Sequence, residues 1–379
     1  MISCGEPSGD LYAASLTTAL RAREPAIEVF GFGGRRLEAA GARLVGDFAG
    51  VSVTGLTEAI RVIPRSYAML RRLVDAARTL RPDVFVAVDF PDFNFRLMSA
   101  VHALGIPVVY YISPQLWAWR PGRMAQMQQH VARVLVIFPF ETALYQQAGV
   151  PVEFVGHPLV DLTQPTQSRE AFLTAHGLTP AAPTVALLPG SRPNEVHRTI
   201  PVIAAALPLI RGRVADVQFV IAGAPELPPE TFHPLLAGAR GVVLAENRTD
   251  DVLEASDVVI TASGTATVQC TLHERPMVVV YRLSAFTYQL AKRMVRVPHI
   301  AMPNLVAGSR IVPELVQEDF TPGRVAGEVV TLLTDRSSYN RTRDRLRDVR
   351  ERLGGSGASG RAADAVLAEA YRHREKRSR

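Results

Sequence analysis

The stretch LPGSRPNEV, Leu188 to Val196, follows an apolar run and precedes a segment with the composition of a helix. It has the form of a strand-to-helix turn, in which Gly190 lets a ligand approach the backbone and the N–H groups of the new helix carry a partial positive charge. Arg192 adds a planar cation beside Ser191, suited to two oxygens of one phosphate or to a pyrophosphate. The stretch therefore predicts a phosphate site at a strand end, although alone it also fits an ordinary turn with a solvated arginine.

Apolar runs of strand length alternate with helical segments on both sides of this turn. The first series comprises Met1–Cys4, Ile27–Gly31, Val84–Val88, Pro107–Ile112 and Val134–Phe138. The second comprises Thr184–Leu188, Val217–Ala222, Gly241–Leu244, Val258–Thr261 and Met277–Tyr281. Such alternation predicts right-handed βαβ units and parallel sheets. A polar stretch at 163–168 separates the series, so we predict an α/β protein of two Rossmann-like, doubly wound domains that face each other across a cleft. Their predicted limits are 1–163 and 169–343, with a C-terminal helical extension, 344–379, packing back.

Length and composition limit the class of protein. The chain has 379 residues, 47% hydrophobic and 21% charged, as expected of a folded protein with two cores. Its net charge of +6 favours acidic partners such as nucleotide phosphates or anionic lipid headgroups. Cys4 and Cys270 do not have a metal-binding spacing, which favours a reducing cytosol. No secretory signal is apparent, and the uncharged stretch Leu97–Trp119 is interrupted by glycine and prolines, so we expect no transmembrane helix.

Two further strand ends carry candidate chemistry. Asp89 follows the strand Val84–Val88, where catalytic groups of open α/β sheets collect, and its carboxylate could accept a proton from an attacking hydroxyl. The alternative is a capping aspartate, a role that Asp92 fits better. In the second domain, the small-residue turn Thr261–Thr267 leads into a helix and could cradle phosphate.

Other loops contain candidates whose alternatives are structural. Trp117 and Trp119 lie beside a proline and an arginine, suited to sugar stacking, to an apolar tail or to plain core filling. His157 in the sequence GHP could be a hinge, a substrate ligand or a buried structural histidine. Asn304 precedes a predicted helix and could bind a base or ribose.

Together these stretches resemble the lipid-A-disaccharide synthase family of GT-B glycosyltransferases (family 19). The resemblance covers nearly the whole chain in order. It rests on GEPSGD at 5–10, VDFPDFN at 88–94, YISPQLWAWR at 111–120, FVGHPLVD at 154–161, LPGSRPNEV at 188–196, ASGTATVQC at 262–270, PMVVVYR at 276–282 and MPNLVAG at 302–308. It implies a hexosyltransferase of lipid A and lipopolysaccharide synthesis.

The family reaction transfers 2,3-diacylglucosamine from UDP-2,3-diacylglucosamine to the 6-hydroxyl of 2,3-diacylglucosamine 1-phosphate, with inversion and release of UDP. By this resemblance Asp89 is the general base. The UDP and pyrophosphate candidates are Ser191, Arg192, Ser263, Gly264, Thr265, Gln269 and Asn304. The candidates on the acceptor and lipid side are Glu6, Ser8, Asp10, Trp117, Trp119 and His157. No cofactor and no metal are expected, because arginine and helix termini can stabilise the leaving diphosphate.

One position departs from the family. Gln269 stands where the family usually has the glutamate that resembles the ribose-binding carboxylate of related transferases. A glutamine still donates and accepts hydrogen bonds, so the expected effect is weaker ribose binding without loss of activity.

The acylated substrates suggest contact with a membrane. The arginine-rich helix predicted at Thr57–Leu80, interrupted near Pro64, and the segment Phe286–Val297 could each lie on an anionic bilayer, or be packing helices with a solvated basic edge. The membrane-contact candidates are Ile63, Arg65, Arg71, Arg72, Lys292 and Arg293. We therefore expect a cytoplasmic protein, peripheral on the inner face of the cytoplasmic membrane, with no nucleic-acid partner; a homodimer stays open. The alternatives are another UDP-N-acetylglucosamine transferase, an epimerase on the same fold, or a non-catalytic lipid-binding protein.

Overall fold

The computed structural model describes residues 1–48, 56–117, 121–237, 241–284, 288 and 297–378, with only the backbone described at 56–63 and 121. These residues form two compact units. Unit 1 comprises Met1–Pro158 and Leu353–Arg379, and unit 2 comprises Leu159–Arg352. The chain therefore passes from unit 1 into unit 2 and back again.

The described strands and helices alternate as the sequence predicts. The strands are β1 (Ile2–Ser3), β2 (Phe30–Gly33), β3 (Arg43–Asp47), β4 (Phe85–Val88), β5 (Val108–Tyr111), β6 (Arg133–Val136), β7 (Val152–Phe154), β8 (Thr184–Leu188), β9 (Gln218–Gly223), β10 (Val242–Glu246), β11 (Val258–Ala262), β12 (Met277–Tyr281) and β13 (Glu314–Val316). The helices are α1 (Pro7–Arg23), α2 (Arg35–Ala39), α3 (Leu56–Leu80), α4 (Pro91–His102), α5 (Met124–His130), α6 (Pro139–Gln147), α7 (Leu159–Leu162), α8 (Arg169–Ala175), α9 (Pro193–Arg211), α10 (His233–Ala237), α11 (Thr249–Ala255), α12 (Thr265–Leu272), α13 (Met302–Ala307), α14 (Pro322–Thr334), α15 (Arg336–Arg352) and α16 (Ala358–Ser378).

Both units contain a parallel sheet with the strand order of a Rossmann fold. The strands of unit 1 are arranged β3-β2-β1-β4-β5-β6-β7, and those of unit 2 are arranged β10-β9-β8-β11-β12-β13. All pairings of the described strands are parallel. This confirms the predicted α/β class and the doubly wound topology, in which the order reverses beside the first strand of each unit.

The strands are apolar throughout because helices cover both faces of each sheet. In β8, Val185 and Leu187 belong to the core that packs against α9 and α14, whereas Ala186 and Leu188 belong to the core on the opposite face, with α8 and α11. Successive side chains of a strand point to opposite faces, so a strand buried on both sides needs an uninterrupted apolar run.

The C-terminal residues divide between the units. Helix α15 continues to Arg352 within unit 2, so a domain limit at 343 would cut a continuous helix. Helix α16 belongs to unit 1 and packs against α1, where the Ser15 and Ser359 hydroxyls are 2.8 Å apart. Arg361 Nε also donates to the Val155 carbonyl across 2.8 Å. Helix α16 is therefore the C-terminal helix that packs within unit 1.

Some elements differ from the sequence prediction. Helix α1 begins at Pro7, so Ser8 lies inside it and is not its cap; proline suits the first helical position because it lacks the N–H that would be unpaired there. Helix α3 runs through Pro64 instead of being interrupted there. No apolar run in the sequence predicted the short strands β3, β7 and β13. They lie at the edges of the sheets, where a strand pairs on one side only and needs no continuous apolar sequence.

The uncharged stretch forms the end of α4, the buried strand β5 and a loop, as predicted. Among the described residues, no helix is both long and apolar enough to cross a membrane.

Candidate active site

The predicted residues lie at the points where the strand order reverses. In unit 1 this point is between β1 and β4, and Asp89 follows β4 directly. In unit 2 it is between β8 and β11; the turn of Ser191 follows β8, and the turn of Ser263 follows β11. Doubly wound sheets bind ligands outside the carboxyl ends of the strands at this position. Each unit therefore presents its candidates where its own topology favours a ligand.

The backbone of Asp89 is fixed by three hydrogen bonds. Its N–H donates to the Tyr111 carbonyl (3.1 Å), and its carbonyl accepts from Tyr110 Oη (2.9 Å) and from Asn94 Nδ2 (2.8 Å). Asp89 and Phe90 have φ values of 44° and 49°, a conformation uncommon for residues with a side chain. These bonds hold the strained turn, and they place the Asp89 side chain at the strand end.

Two buried tyrosines, Tyr110 and Tyr12, lie close enough to interact electrostatically with the Asp89 carboxylate. Burial and the nearby Asp89 charge raise the pKa of Tyr110 well above its ordinary value. Burial, with Tyr111 and Asp89, likewise raises the pKa of Tyr12. Both phenols therefore stay protonated at neutral pH and add no negative charge beside Asp89.

The acidic residue that ends GEPSGD has a structural role. Asp10 is 4% exposed, and its carboxylate accepts the backbone N–H groups of Gly34 (2.7 Å), Arg36 (3.0 Å) and Leu37 (3.2 Å). It thus satisfies the N-terminal donors of α2, a role that sequence spacing could not show because the helix lies more than twenty residues away. The Asp10 carboxylate is thus engaged by backbone N–H groups, whereas Glu6 and Ser8 are half-buried at the start of α1.

His157 and Trp117 lie in one aromatic cluster of unit 1. The His157 ring packs against Tyr12 (6.0 Å between centroids) and Phe138 (5.3 Å), and burial lowers its pKa to about 3, so it is neutral. Trp117 is half-buried and packs edge-on against Phe140 at 5.2 Å.

In unit 2, an acidic side chain contacts the first predicted phosphate turn. Ser191 and Arg192 are exposed, but the Ser191 N–H donates to Glu195 Oε2 across 3.1 Å, and the Arg192 N–H also donates to this carboxylate. The prediction that these N–H groups are open to a ligand was therefore incomplete. Burial raises the pKa of Glu195, while the hydrogen bond from Ser191 and the Arg192 charge lower it less.

The second phosphate turn lies on the neighbouring strand, since Thr261 of β11 pairs with Leu188 of β8. Gly264 and Thr265 are exposed, whereas the Ser263 hydroxyl donates to the Ile300 carbonyl across 2.9 Å. The structure thus brings the exposed residues of both turns to the carboxyl ends of two neighbouring strands.

The two nucleotide candidates further along unit 2 have polar partners of their own. Gln269 Nε2 donates to Asp250 Oδ1 (3.3 Å), which His273 Nε2 also contacts (3.3 Å). Asn304 is fully buried; its amide bonds the Val312 carbonyl and Glu314, and its oxygen accepts the Ile311 and Val312 N–H groups. Asn304 therefore ties α13 to the segment before β13.

The remaining candidates belong to the proposed membrane face. Arg65, Arg71 and Arg72 are exposed on α3, and the Arg71 guanidinium lies 4.6 Å above the Tyr67 ring. Trp119, Lys292, Arg293 and the side chain of Ile63 lie outside the described residues, as does most of the segment Phe286–Val297.

The sequence analysis did not identify Glu195, Glu141 and Asn94 as residues that hold the candidate loops and turns in place. Glu195 had a signal, because an acidic residue three positions after a helix cap commonly accepts the N–H groups at that cap. Glu141 of α6 has the same spacing from Phe138. Asn94 had none, because its partner Ser3 is far away in the sequence and is brought to it only by the pairing of β1 with β4.

Solved structures of sugar-nucleotide enzymes share this fold. The UDP-GlcNAc 2-epimerase from Neisseria meningitidis matches with a TM-score of 0.68 at 12% identity, covering 97% of this chain and 98% of that one. A calicheamicin glycosyltransferase matches with a TM-score of 0.59 at 18% identity, covering 98% of each chain. The fold and the paired switch-point turns thus define a protein of the GT-B class.

Sequence relatives narrow this class. The family described as Lipid-A-disaccharide synthetase matches residues 1–368. The lipid-A-disaccharide synthase of Geobacter metallireducens is 42% identical over 371 residues, which are 97% of this chain and 96% of the relative. That of Myxococcus xanthus is 42% identical over 369 residues, with the same coverage. The chain belongs to the lipid-A-disaccharide synthetase family, and it is a glycosyltransferase of lipid A disaccharide synthesis.

Proposed function

We propose that the chain transfers 2,3-diacylglucosamine from UDP-2,3-diacylglucosamine to the 6-hydroxyl of 2,3-diacylglucosamine 1-phosphate, forming a β-1,6-linked disaccharide and UDP. The single observation that carries this proposal is the fixed placement of Asp89 at the switch point of unit 1, in a chain whose family uses these substrates. Such placement is what a general base requires, because its oxygen must be held within reach of the proton it accepts.

The chemical step needs one base and a stabilised leaving group. The Asp89 carboxylate accepts the proton of the acceptor 6-hydroxyl while that oxygen forms a bond to the anomeric carbon of the donor. The bond between this carbon and the diphosphate oxygen breaks, and UDP leaves with the electron pair. Attack opposite the leaving group inverts the anomeric centre. Neutral Tyr12 and Tyr110 add no competing negative charge.

The diphosphate is proposed to bind the two exposed turns of unit 2. Arg192 supplies a permanent cation, Ser191 supplies a hydroxyl, and Gly264 and Thr265 supply groups at the start of α12. The register of β8 with β11 supports a shared role, since it puts both turns at neighbouring strand ends. These groups can neutralise the charge that develops on UDP, so the proposed reaction needs no metal and no cofactor.

The ribose is proposed to contact Gln269. Its Nε2 already donates to Asp250, which leaves its oxygen to accept a ribose hydroxyl. A neutral amide accepts a weaker hydrogen bond than a carboxylate does, so the expected consequence is a modest loss of nucleotide affinity.

We further propose peripheral association with an anionic membrane surface on the cytoplasmic side. The exposed arginines of α3 and the exposed Tyr67 support it, because cations and amphipathic rings favour the headgroup region. Acylated substrates would be met at such a surface. A homodimer is compatible with this arrangement and is tested by the mass of the protein in solution.

The deciding experiment is UDP release from UDP-2,3-diacylglucosamine with and without the acceptor. We expect acceptor-dependent release that falls by about 10²- to 10⁴-fold in Asp89→Asn. A loss of comparable size is expected in Arg192→Ala, mainly through removal of charge stabilisation of the leaving group. Asp92→Asn is the matched control, because Asp92 lies three residues further on, is exposed and pairs with Arg123. Equal activity of the Asp89 and Asp92 variants would contradict the assigned base, and acceptor-independent release would contradict the transfer reaction.

A further inference from the structure

Glu141 is a buried carboxylate to which the reaction above gives no role. It is 2% exposed at the start of α6, in unit 1. Trp117 Nε1 donates to its Oε1 across 3.2 Å, and the Phe138 N–H donates to its Oε2 across 3.2 Å. The Ile137 N–H and the Ser113 hydroxyl also form hydrogen bonds to it. Every one of these partners can donate, so the site is built for the ionised form.

The loop that Glu141 holds begins beside the candidate base. Strand β5 ends at Tyr111, whose carbonyl accepts the Asp89 N–H, and the loop from Ile112 to Trp117 follows. At its first part the Ser113 hydroxyl and Tyr145 Oη are 2.7 Å apart, and both residues are buried. At its far end Trp117 is only half-buried. Thus one end of the loop lies at Asp89 and the other presents an indole ring.

We propose that Glu141 is a positioning residue for the acceptor: by binding the indole N–H, its carboxylate fixes Trp117 as a wall against which the acylated sugar packs. This inference rests on the proposed function, because it assigns Trp117 to the acceptor side. The Phe140 ring, 5.2 Å from Trp117 and at 87° to it, supports the indole edge-on. The hydrogen bond then selects the orientation of the ring within this aromatic contact.

The need for a charged form makes this contact sensitive to pH. Burial raises the pKa of Glu141 to about 7, against the opposing effect of its hydrogen bonds, so its charge changes near neutrality. Tyr145 interacts with Glu141 and has a pKa raised by burial and in part by that carboxylate, and His157 packs on Phe138 and stays neutral. Protonation of Glu141 therefore turns one of its acceptor oxygens into an O–H donor. That O–H faces a group that is itself a donor, so one of the hydrogen bonds to the carboxylate is lost.

The first test is kinetic. Glu141→Gln preserves the size of the side chain but puts an amide N–H2 next to groups that also donate hydrogen bonds. We therefore expect the KM for the acceptor sugar to rise about tenfold, with the KM for the UDP-linked substrate unchanged and kcat within about threefold. In a Trp117→Phe background, which keeps a ring but removes the indole N–H, Glu141→Gln is expected to add little. Glu153→Gln, removing a half-exposed partner of Arg133, is the control. Equal losses in kcat and both KM values, or an undiminished effect in the Trp117→Phe background, would overturn the proposal.

The second test needs no substrate. The chain has two tryptophans, so Trp119→Phe leaves Trp117 as the sole indole emitter. Its fluorescence is expected to titrate with a midpoint of about 7, and the added Glu141→Gln substitution is expected to abolish the transition. No transition between about pH 5 and about pH 9, or one that persists in Glu141→Gln, would overturn the link. Absence of transfer by the unaltered protein would instead contradict the proposed function, so the two failures are distinguishable.

Discussion

Ser191 donates its backbone N–H to Glu195 across 3.1 Å, so the turn predicted to receive a diphosphate already binds a carboxylate of its own chain. The pKa of Glu195 is raised by burial, and Arg192 lies close enough to lower it. The carboxylate therefore gives the turn its shape while opposing a second anion. Withdrawal or protonation of the Glu195 carboxylate would remove this opposition to a bound diphosphate.

Replacing Glu195 by glutamine tests this opposition. The amide can still accept the Ser191 N–H but carries no charge, so we expect UDP to bind about fivefold more tightly than in the unaltered protein at pH 8. Because the unaltered carboxylate becomes neutral below its pKa, the difference should fade on acidification. Calorimetric titration with UDP at several pH values measures it. Weaker binding at pH 8 would show that the charge helps to assemble the site.

Gly190 is expected to tolerate no side chain while Glu195 is in place. Its φ is +129°, and a Cβ there would lie 2.4 Å from Glu195 Oε2. Gly190→Ala should lower the free energy of unfolding by about 2–4 kcal/mol, through backbone strain and this contact. Gly264→Ala is the control for strain without this contact, because Gly264 is also in unit 2, with φ +152° and no atom of the described residues within 4 Å of the added Cβ. Equal losses of unfolding free energy for the two alanine variants in urea would exclude the contact with Glu195 as a cause. Adding Glu195→Ala to Gly190→Ala should restore the part of the stability that this contact removes.

His157 should make unit 1 sensitive to acid. Burial lowers the pKa of its imidazole from 6.5 to about 3, so in mild acid the unfolded chain binds a proton that the folded chain does not. Stability is therefore lost as pH falls below about 6.5, by about 2 kcal/mol at pH 5 relative to His157→Leu. Urea unfolding at pH 7.5 and pH 5 measures the difference. Glu141, whose folded pKa is raised, acts in the opposite direction, but it is common to both proteins; parallel pH dependences of the two would refute the prediction.

The exposed arginines of α3 should control binding to anionic vesicles. Arg65→Gln with Arg71→Gln is expected to weaken binding by about tenfold or more at low salt, since each basic residue near an anionic surface contributes about 1 kcal/mol. Arg78→Gln is the control, because Arg78 lies on the same helix and is paired with Asp75 at 2.9 Å. Sedimentation with vesicles containing anionic lipid measures the bound fraction. Unchanged binding would place the membrane contact elsewhere.

Apolar runs predicted the central strands well and the edges of the sheets poorly. The bounds of β8 and β12 agree with the sequence prediction, because strands buried on both faces need continuous apolar residues. Strand β13, Glu314–Val316, has no such run, because it pairs with one neighbour only. The prolines inside α3 and α9 were tolerated within longer helices, which local propensity alone does not indicate.

The ends of the predicted strands indicated where the candidate site residues lie in the fold. They did not indicate which of those side chains are already hydrogen-bonded to the protein backbone. Asp89 and Arg192 do follow strands at the points where the strand order reverses, as the rule for ligand sites in doubly wound sheets predicted, and their roles stay predictions. Asp10 and Asn304 belong to motifs of the same family, yet each binds backbone groups that only the folded chain brings near. Sequence patterns identify polar residues beside a site; their hydrogen-bond partners depend on tertiary contacts.

The return of α16 to unit 1 has a consequence for synthesis of the protein. Unit 2 is a single uninterrupted segment, Leu159–Arg352, and all of its contacts can form once that segment has left the ribosome. Unit 1 begins to emerge before unit 2 but lacks the helix that covers α1 until α16 has been translated. The unit that carries Asp89 is thus begun before unit 2 and completed after it.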